Sequence, residues 1–147
     1  MKIIIDGDAC PSISKIELKA QEYGVDVKIF CDINHCITSD YAKVSVVDSG
    51  FQNVDMYVIN EAKENDIIVT QDFGVAALCL PKGAKCINPN GKIYTNENID
   101  MLLEKRHMSQ KVRAAGGRMK GQKKRKSIDE RLFLEKLESL IKLAVQK

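Results

Sequence analysis

Short apolar runs recur along the chain, and each stops at a polar or turn-forming residue. Such runs, rich in β-branched residues, are typical of buried strands. They predict five strands: Lys2–Ile5, Val25–Phe30, Val44–Val47, Ile67–Thr70 and Ala84–Ile87. The segments between them carry apolar residues at helical spacing. The chain therefore alternates between strand and helix patterns.

The helical segments begin and end at recognisable signals. The first begins near Ser12 and is closed by Gly24, because glycine favours the left-handed conformation at a helix end. The polar segment Cys31–Lys43 is predicted to be mainly loop. Further helices are predicted over Asn53–Asn65, from Val75 to just before Pro81, and from Asn96 or Asn98 to about His107.

The segment from Ser127 onwards has the pattern of an amphipathic helix. Ser127 and Glu130 have the spacing of a capping box, in which each side chain bonds the backbone N–H of the other. The apolar stripe consists of Leu132, Phe133, Leu137, Leu140, Ile141 and Ala144. Such a stripe has to be buried. We expect it to pack on its own domain, and a homodimer interface is the alternative.

The alternation of strands and helices predicts an α/β fold, with a mainly parallel sheet of about five strands flanked by helices, plus the C-terminal helix. The length of 147 residues fits one domain, residues 1–147, around one core. In such sheets ligands bind outside the carboxyl ends of the strands. Polar residues that follow the strands are therefore the first candidates for a site.

Composition narrows the class of protein. The hydrophobic fraction of 44% excludes a disordered chain. No secretory leader precedes the first strand, and no apolar run approaches the ~18 residues of a membrane span, so we expect a soluble, cytoplasmic protein. Five cysteines at irregular spacings predict free thiols. Cys31, His35 and Cys36 lie close together, but no second ligand pair with zinc-like spacing follows.

Acidic residues are concentrated where the predicted strands end. Asp6 and Asp8 follow the first strand, Asp55 opens the helix after the third, and Asp72 follows the fourth. In a parallel sheet these four residues lie at the same edge. Two weaker candidates are Asp48, at the end of the third strand, and Asp66, which precedes its strand and falls at the opposite edge.

Four carboxylates at one edge repel each other unless a cation holds them. Two carboxylates about 5 Å apart repel by about 3 kcal/mol at an effective dielectric constant of about 20. Mg²⁺ and Mn²⁺ prefer oxygen ligands and are commonly held by carboxylates. Such clusters serve phosphoryl transfer and phosphodiester hydrolysis, in which the ion activates water and stabilises charge on phosphate. The alternative is structural, because Asp also caps helices and fills turns.

A basic segment lies late in the chain. The net charge is only +3, but residues 111–126 contain eight basic residues and no acidic one. An anionic partner is the functional interpretation, and a solvated linker is the alternative. No aromatic residue lies in this segment, so base stacking is not expected there. The candidates for binding phosphate are Arg113, Arg118, Lys120, Lys123 and Lys124.

The sequence Asp-Gly-Asp-Ala-Cys-Pro at residues 6–11 resembles the signature of the YaiI/YqxD family of bacterial proteins. The resemblance extends over nearly the whole chain. Further matching segments are Val69–Asp72, Ile87–Gly91, Tyr94-Thr95 followed by Asn98-Ile99, and Asp129–Arg131 with Phe133.

That family looks like a branch of the PIN-like nucleases. The resemblance implies a sheet flanked by helices and an acidic pocket that binds metal. Asp6, Asp55 and Asp72 fall on the acidic positions of PIN-like domains, and Asp8 is the implied fourth acid. The Asp-Ala-Cys-Pro element belongs to the YaiI/YqxD family and not to PIN domains broadly.

Two functions on nucleic acid fit these patterns. A nuclease, acting on RNA, would use the four acids with Mg²⁺ or Mn²⁺, and Thr70 would orient Asp72 or the attacking water. A binding protein without catalysis would need only the basic segment.

A phosphatase is the third possible function. Asp6 and Asp8 after the first strand resemble the nucleophile and the acid of haloacid-dehalogenase-like enzymes, although Cys10 stands where those enzymes usually have threonine. Cys10 is interpreted here as packing under the site.

Overall fold

A computed structural model of the protein describes residues 1–7, 12–32, 38–47, 54–101 and 127–146. The strands are β1 (Lys2–Asp6), β2 (Asp26–Asp32), β3 (Lys43–Val47), β4 (Ile67–Val69), β5 (Lys85–Ile87) and β6 (Ile93–Tyr94). The helices are α1 (Ile13–Tyr23), α2 (Val54–Glu61), α3 (Phe73–Cys79), a 3₁₀-helix (Leu80–Lys82), α4 (96–101) and α5 (Ser127–Val145).

The strands form one sheet in the order β3-β2-β1-β4-β5-β6. The first five are parallel to one another, and β6 runs antiparallel to β5. The predicted α/β class and its five parallel strands are confirmed. The sixth strand was not predicted, because two residues are too few to show an alternating pattern.

The order of the strands reverses between β1 and β4. From β1 the chain adds β2 and then β3 on one side, and it returns to place β4 on the other side of β1. Ile3 pairs with Ile67 of β4 on this side and with Val27 of β2 on the other. A reversal of this kind opens a crevice at the carboxyl ends of the two central strands.

Both faces of the sheet are covered, so the strands are apolar throughout. Ile3 and Ile5 belong to the cluster with α1 and α5, whereas Ile4 belongs to the cluster with α2 and α3. All three isoleucines are fully buried. This arrangement explains why β1 is a continuous apolar run that ends abruptly at Asp6.

The apolar stripe of α5 packs on its own chain, as expected. Phe133, Leu137 and Ile141 are fully buried in the same cluster as β1 and α1. Leu132 is an exception, because 43% of it is exposed. Since the stripe is used in this core, it gives no support to a homodimer. The predicted capping box depends on the side chain of Ser127, which lies outside the described part of the structure.

Helix ends differ from the predictions in three places. The helix predicted over Asn53–Asn65 ends at Glu61, and Asn65 has a left-handed φ of 70°. Thr95 caps α4 rather than Asn96 or Asn98, because its hydroxyl accepts the N–H of Asn98 and its own N–H donates to the Asn98 side chain. The helix predicted from Val75 begins two residues earlier, at Phe73. It ends at Cys79, before Pro81 as predicted, and Pro81 lies in the 3₁₀-helix that follows. The predicted extension of α4 to His107 lies outside the described residues.

Three of the cysteines are described, namely Cys31, Cys79 and Cys86, and all three are free and buried. This confirms the expected free thiols for these residues. His35 and Cys36, which lie close to Cys31 in sequence, are outside the described residues. Among the helices that the structure describes, none has the length and apolar character needed to cross a membrane.

Candidate functional site

Asp6 ends β1 at the point where the strand order reverses. Its neighbours in the sheet are β2 on one side and β4 on the other. The residue is only 5% exposed, which is unusual for a carboxylate unless it has polar partners. The next residue, Gly7, donates its N–H to the carbonyl of Phe30 at 2.7 Å and so continues the ladder. The structure therefore places Asp6 at the carboxyl edge of the sheet, as predicted.

Thr70 follows β4 directly and is 1% exposed. Its N–H donates to the carbonyl of Ile87 at 3.1 Å, which keeps it in line with the sheet. Its hydroxyl donates to Oδ2 of Asp6 at 3.3 Å and accepts the N–H of Asp72 at 3.0 Å. Because the Asp72 amide supplies a hydrogen to the oxygen, the hydroxyl hydrogen is available for Asp6. Thr70 therefore contacts the side chain of one predicted site residue and the backbone of another.

Asp72 is the N-cap of α3. Its Oδ1 accepts the N–H of Gly74 at 2.8 Å, and its own N–H is held by Thr70. The structural role that the sequence allowed for this residue is therefore real. Such a contact is compatible with metal binding, because carboxylate ligands are commonly held by further hydrogen bonds.

Asp55 lies in the first turn of α2. The last residue of that helix, Glu61, pairs with Lys2 at 3.7 Å and Lys28 at 3.3 Å, and both lysines lie towards the amino edge of the sheet. The helix therefore runs from the carboxyl edge to the amino edge. Six residues at 1.5 Å each place Asp55 about 9 Å from Glu61 along the axis, towards the carboxyl edge.

Two of the four predicted acids are linked through Thr70, which contacts the side chain of Asp6 and the backbone N–H of Asp72. Within the described ranges, no group of three or more His, Cys, Asp or Glu residues could hold a metal ion. Asp6, Asp55 and Asp72 therefore do not form such a group by themselves. Asp8 lies outside the described residues, as do Asp48 and Cys10. The four-acid cluster stays a prediction.

Asp66 lies at the opposite edge, as its place before β4 predicted. It is 3% exposed, and its carboxylate accepts hydrogen bonds from the backbone N–H and the side chain of Lys2, both at 3.1 Å. It also accepts the N–H of Lys63 at 3.0 Å. These contacts fix the start of β1 against the start of β4, so the role of Asp66 is structural.

Two residues near the carboxyl edge were missed by the sequence analysis. Asp32 ends β2 and is half-buried, whereas the sequence analysis ended this strand at Phe30. The buried Cys31 could have extended the apolar run by one residue and revealed Asp32 as its end. Tyr94 belongs to the short strand β6 and lies beneath Thr70. A two-residue strand offers no sequence signal for such a placement.

The N-terminus of α5 lies at the same edge as Asp6. The Ser12 hydroxyl, just before α1, donates to Glu130, and Lys15 pairs with Glu130 at 3.0 Å. Gly91, in the turn after β5, lies so close to α5 that a Cβ there would be 3.0 Å from the backbone nitrogen of Phe133. The basic segment 111–126 directly precedes α5 in sequence. Its residues are outside the described part, including Arg113, Arg118, Lys120, Lys123 and Lys124.

A comparison with known proteins identifies the family. The profile described as "Uncharacterized BCR, YaiI/YqxD family" matches residues 4–143. The chain belongs to the YaiI/YqxD family. The resemblance inferred from residues 6–11 is thereby confirmed. The likeness of this family to the PIN-like nucleases stays a prediction.

Relatives in Clostridium carry the name UPF0178 protein, which describes no activity. The relative from Clostridium perfringens is 56% identical over 142 residues, which are 96% of this chain and 95% of the relative. The relative from Clostridium novyi is 52% identical over 147 residues, covering 100% and 99% of the two chains. The relative from Clostridium tetani is 50% identical over 141 residues, covering 96% and 97%. No solved structure matches the chain significantly.

Proposed function

We propose that this protein is a divalent-metal-dependent nuclease that acts on RNA. The observation that carries the proposal is the carboxylate of Asp6, which is 5% exposed, ends the central strand at the reversal of strand order and is hydrogen-bonded by Thr70. Crevices of this kind are where open α/β sheets bind their ligands. Asp72 would supply a second carboxylate, since its backbone N–H is held by Thr70 and its Oδ1 caps α3.

The chemistry of these donors fits Mg²⁺ or Mn²⁺. Both ions prefer oxygen ligands and bind through a few carboxylates while retaining water. Asp6 and Asp72 would hold the ion, with Asp8 and Asp55 as the remaining predicted ligands. A bound ion supplies positive charge that stabilises the developing charge on phosphate oxygens and makes water a better nucleophile.

The described residues hold the acids in fixed positions. The Thr70 hydroxyl restrains Asp6, and the hydrogen bond to the Gly74 N–H restrains the Asp72 side chain. Groups that are oriented before the substrate arrives do not have to be ordered during the reaction, which lowers the barrier. Asp6 would therefore keep its position whether or not RNA is bound.

The position of α5 supports a nucleic acid as the substrate. Glu130, in the first turn of α5 and four residues after the end of the basic segment, contacts Ser12 and Lys15 at the carboxyl edge of the sheet. Lysine and arginine bind the phosphate backbone without reading its sequence. About five phosphate contacts would give a slope of about −3.5 for log K against log salt on a single strand.

The test is the cleavage of labelled single-stranded RNA and DNA in Mn²⁺. Asp6→Asn should reduce cleavage by at least about 100-fold, because it removes a charged ligand. Asp26→Asn is the matched control, since Asp26 is an exposed aspartate at the start of β2, far from the site. Equal residual cleavage by wild type and Asp6→Asn would refute this site.

The charge of the basic segment, eight basic residues and no acidic one over residues 111–126, also favours a second candidate, a nucleic-acid-binding protein without catalysis. Filter binding in the absence of divalent ions measures this separately. Tight, salt-dependent binding that is lost when residues 111–126 are replaced by a neutral linker, combined with no cleavage in Mn²⁺, would favour binding alone. The aspartate-based phosphatase stays a prediction, tested by trapping phosphoaspartate on Asp6.

A further inference from the structure

A buried tyrosine lies beneath the turn that carries Thr70 and Asp72. Tyr94 is 3% exposed, and its hydroxyl oxygen is 3.4 Å from the carbonyl oxygen of Thr70 and 3.4 Å from that of Gln71. A phenol has a single hydrogen to donate, so the two carbonyls share it. Burial raises the pKa of Tyr94 to about 12, against a smaller lowering by its hydrogen bond with Asn88. At neutral pH the hydroxyl is therefore protonated and donates.

We propose that Tyr94 is a positioning residue for the acidic site, because its hydroxyl fixes the turn from which Thr70 reaches Asp6 and Asp72. The effect of Tyr94 on metal binding and cleavage rests on the proposed function. Its structural part, the fixing of the turn, can be measured without metal or substrate.

The hydroxyl is what distinguishes Tyr94 from an ordinary core residue. Its ring lies in the apolar cluster that includes Ile4, Ile68 and Cys86, where phenylalanine would pack equally well. A buried hydroxyl lowers stability unless it is hydrogen-bonded. Here its partners are backbone carbonyls at the end of β4, just where the chain leaves the sheet to form the turn.

Asn88 connects this tyrosine to the turn after β5. The side-chain oxygen of Asn88 accepts the N–H groups of Asn90 at 2.8 Å and Lys92 at 3.2 Å. Gly91 of the same turn packs against α5. Asn88 lowers the pKa of Tyr94 slightly, so the turn that packs against α5 lies close to the tyrosine whose hydroxyl contacts the backbone of Thr70.

The matched pair of variants is Tyr94→Phe and Tyr41→Phe. Tyr41 also donates its hydroxyl to a backbone carbonyl, that of Val25, but it does so at the amino edge of the sheet. Without metal, hydrogen exchange of the Asp72 amide, measured by NMR, should be about fivefold faster in Tyr94→Phe. This factor is what the loss of one hydrogen bond, about 1 kcal/mol, produces. Tyr41→Phe should leave the exchange of that amide unchanged.

The second measurement is Mn²⁺ binding, followed by electron paramagnetic resonance, together with RNA cleavage. Tyr94→Phe should raise the half-saturating Mn²⁺ concentration about fivefold. It should leave the KM for RNA unchanged, because the proposed function assigns RNA binding to the basic segment 111–126. A purely structural role would lower the Tm in both variants without changing the Mn²⁺ dependence.

Asn88→Asp provides a second variant in case Tyr94→Phe does not fold. It keeps the acceptor for Asn90 and Lys92 but offers the Tyr94 hydroxyl a charged acceptor in place of the carbonyls, so the same changes are expected. Unchanged Asp72 exchange and unchanged Mn²⁺ dependence in the folded variants would overturn the role of Tyr94. Mn²⁺ binding that is identical in wild type and Asp6→Asn would instead refute the proposed function, and the exchange data would still decide whether Tyr94 fixes the turn.

Discussion

Replacing Thr70 with valine removes one buried hydroxyl and keeps the β-branched shape of the side chain. That hydroxyl donates to Asp6 at 3.3 Å and accepts from the Asp72 N–H at 3.0 Å, so both bonds are lost together. Thr70 is 1% exposed, and water therefore has little access to replace them. Thr70→Ser is the control, because it keeps the hydroxyl and loses only a methyl group.

The expected loss follows from the two hydrogen bonds. Each contributes about 1 kcal/mol net, so Thr70→Val should lower the free energy of unfolding by about 2 kcal/mol. For a chain of 147 residues that corresponds to a fall in Tm of about 4–8 °C. Thr70→Ser loses one buried methyl group, which contributes about 0.8 kcal/mol, and should be the more stable variant.

Thermal and urea unfolding measure the stability, and RNA cleavage in Mn²⁺ measures the effect on the site. Thr70→Val should lose most of the cleavage because Asp6 is no longer held, while Thr70→Ser should keep most of it. If Thr70→Val were as stable and as active as Thr70→Ser, the hydroxyl would not hold Asp6, and the argument for a fixed carboxylate would fail.

Three further predictions concern stability. Asp66→Asn should lower the free energy of unfolding by about 2 kcal/mol, because a buried carboxylate with three hydrogen bonds is lost, and the exposed Asp26→Asn should change it by less than about 0.5 kcal/mol in the same urea titration. Gly91→Ala should destabilise by about 1–2 kcal/mol more than Gly24→Ala, because both glycines have positive φ but only a Cβ at position 91 would meet α5, at 3.0 Å. Hydrogen bonds from Tyr23 and Lys19 lower the pKa of Glu138, so the stability it contributes is present above the ordinary value of 4.5 and is lost as the pH falls through the lowered value. Glu138→Gln should therefore be destabilised at pH 7, and its difference from wild type should shrink below pH 4.5 in acid-unfolding curves.

Part of the candidate site could be predicted from single residues. Asp6 follows a run of three isoleucines, and a buried strand ends where a charged residue begins. The pattern of apolar and charged residues was therefore enough to predict that Asp6 lies at the carboxyl edge of the sheet. Asp66 precedes its strand, which placed it at the other edge by the same argument. Asp72 was recognised as a candidate, but its role as the N-cap of α3 required the geometry of the Gly74 contact.

The sequence by itself determined the class of fold and the edge at which Asp6 and Asp72 lie, because periodicity and strand ends are local properties. Only the tertiary structure decided that β1 and β4 are neighbours, and therefore that Thr70 meets Asp6 across 64 positions of sequence. It also placed Tyr94 beneath that turn and tied Glu130 to Ser12, which brings the start of α5 to the same edge. These contacts depend on which helices and strands pack against each other. A local pattern in a single sequence shows that a surface is buried, but it does not show which other surface covers it.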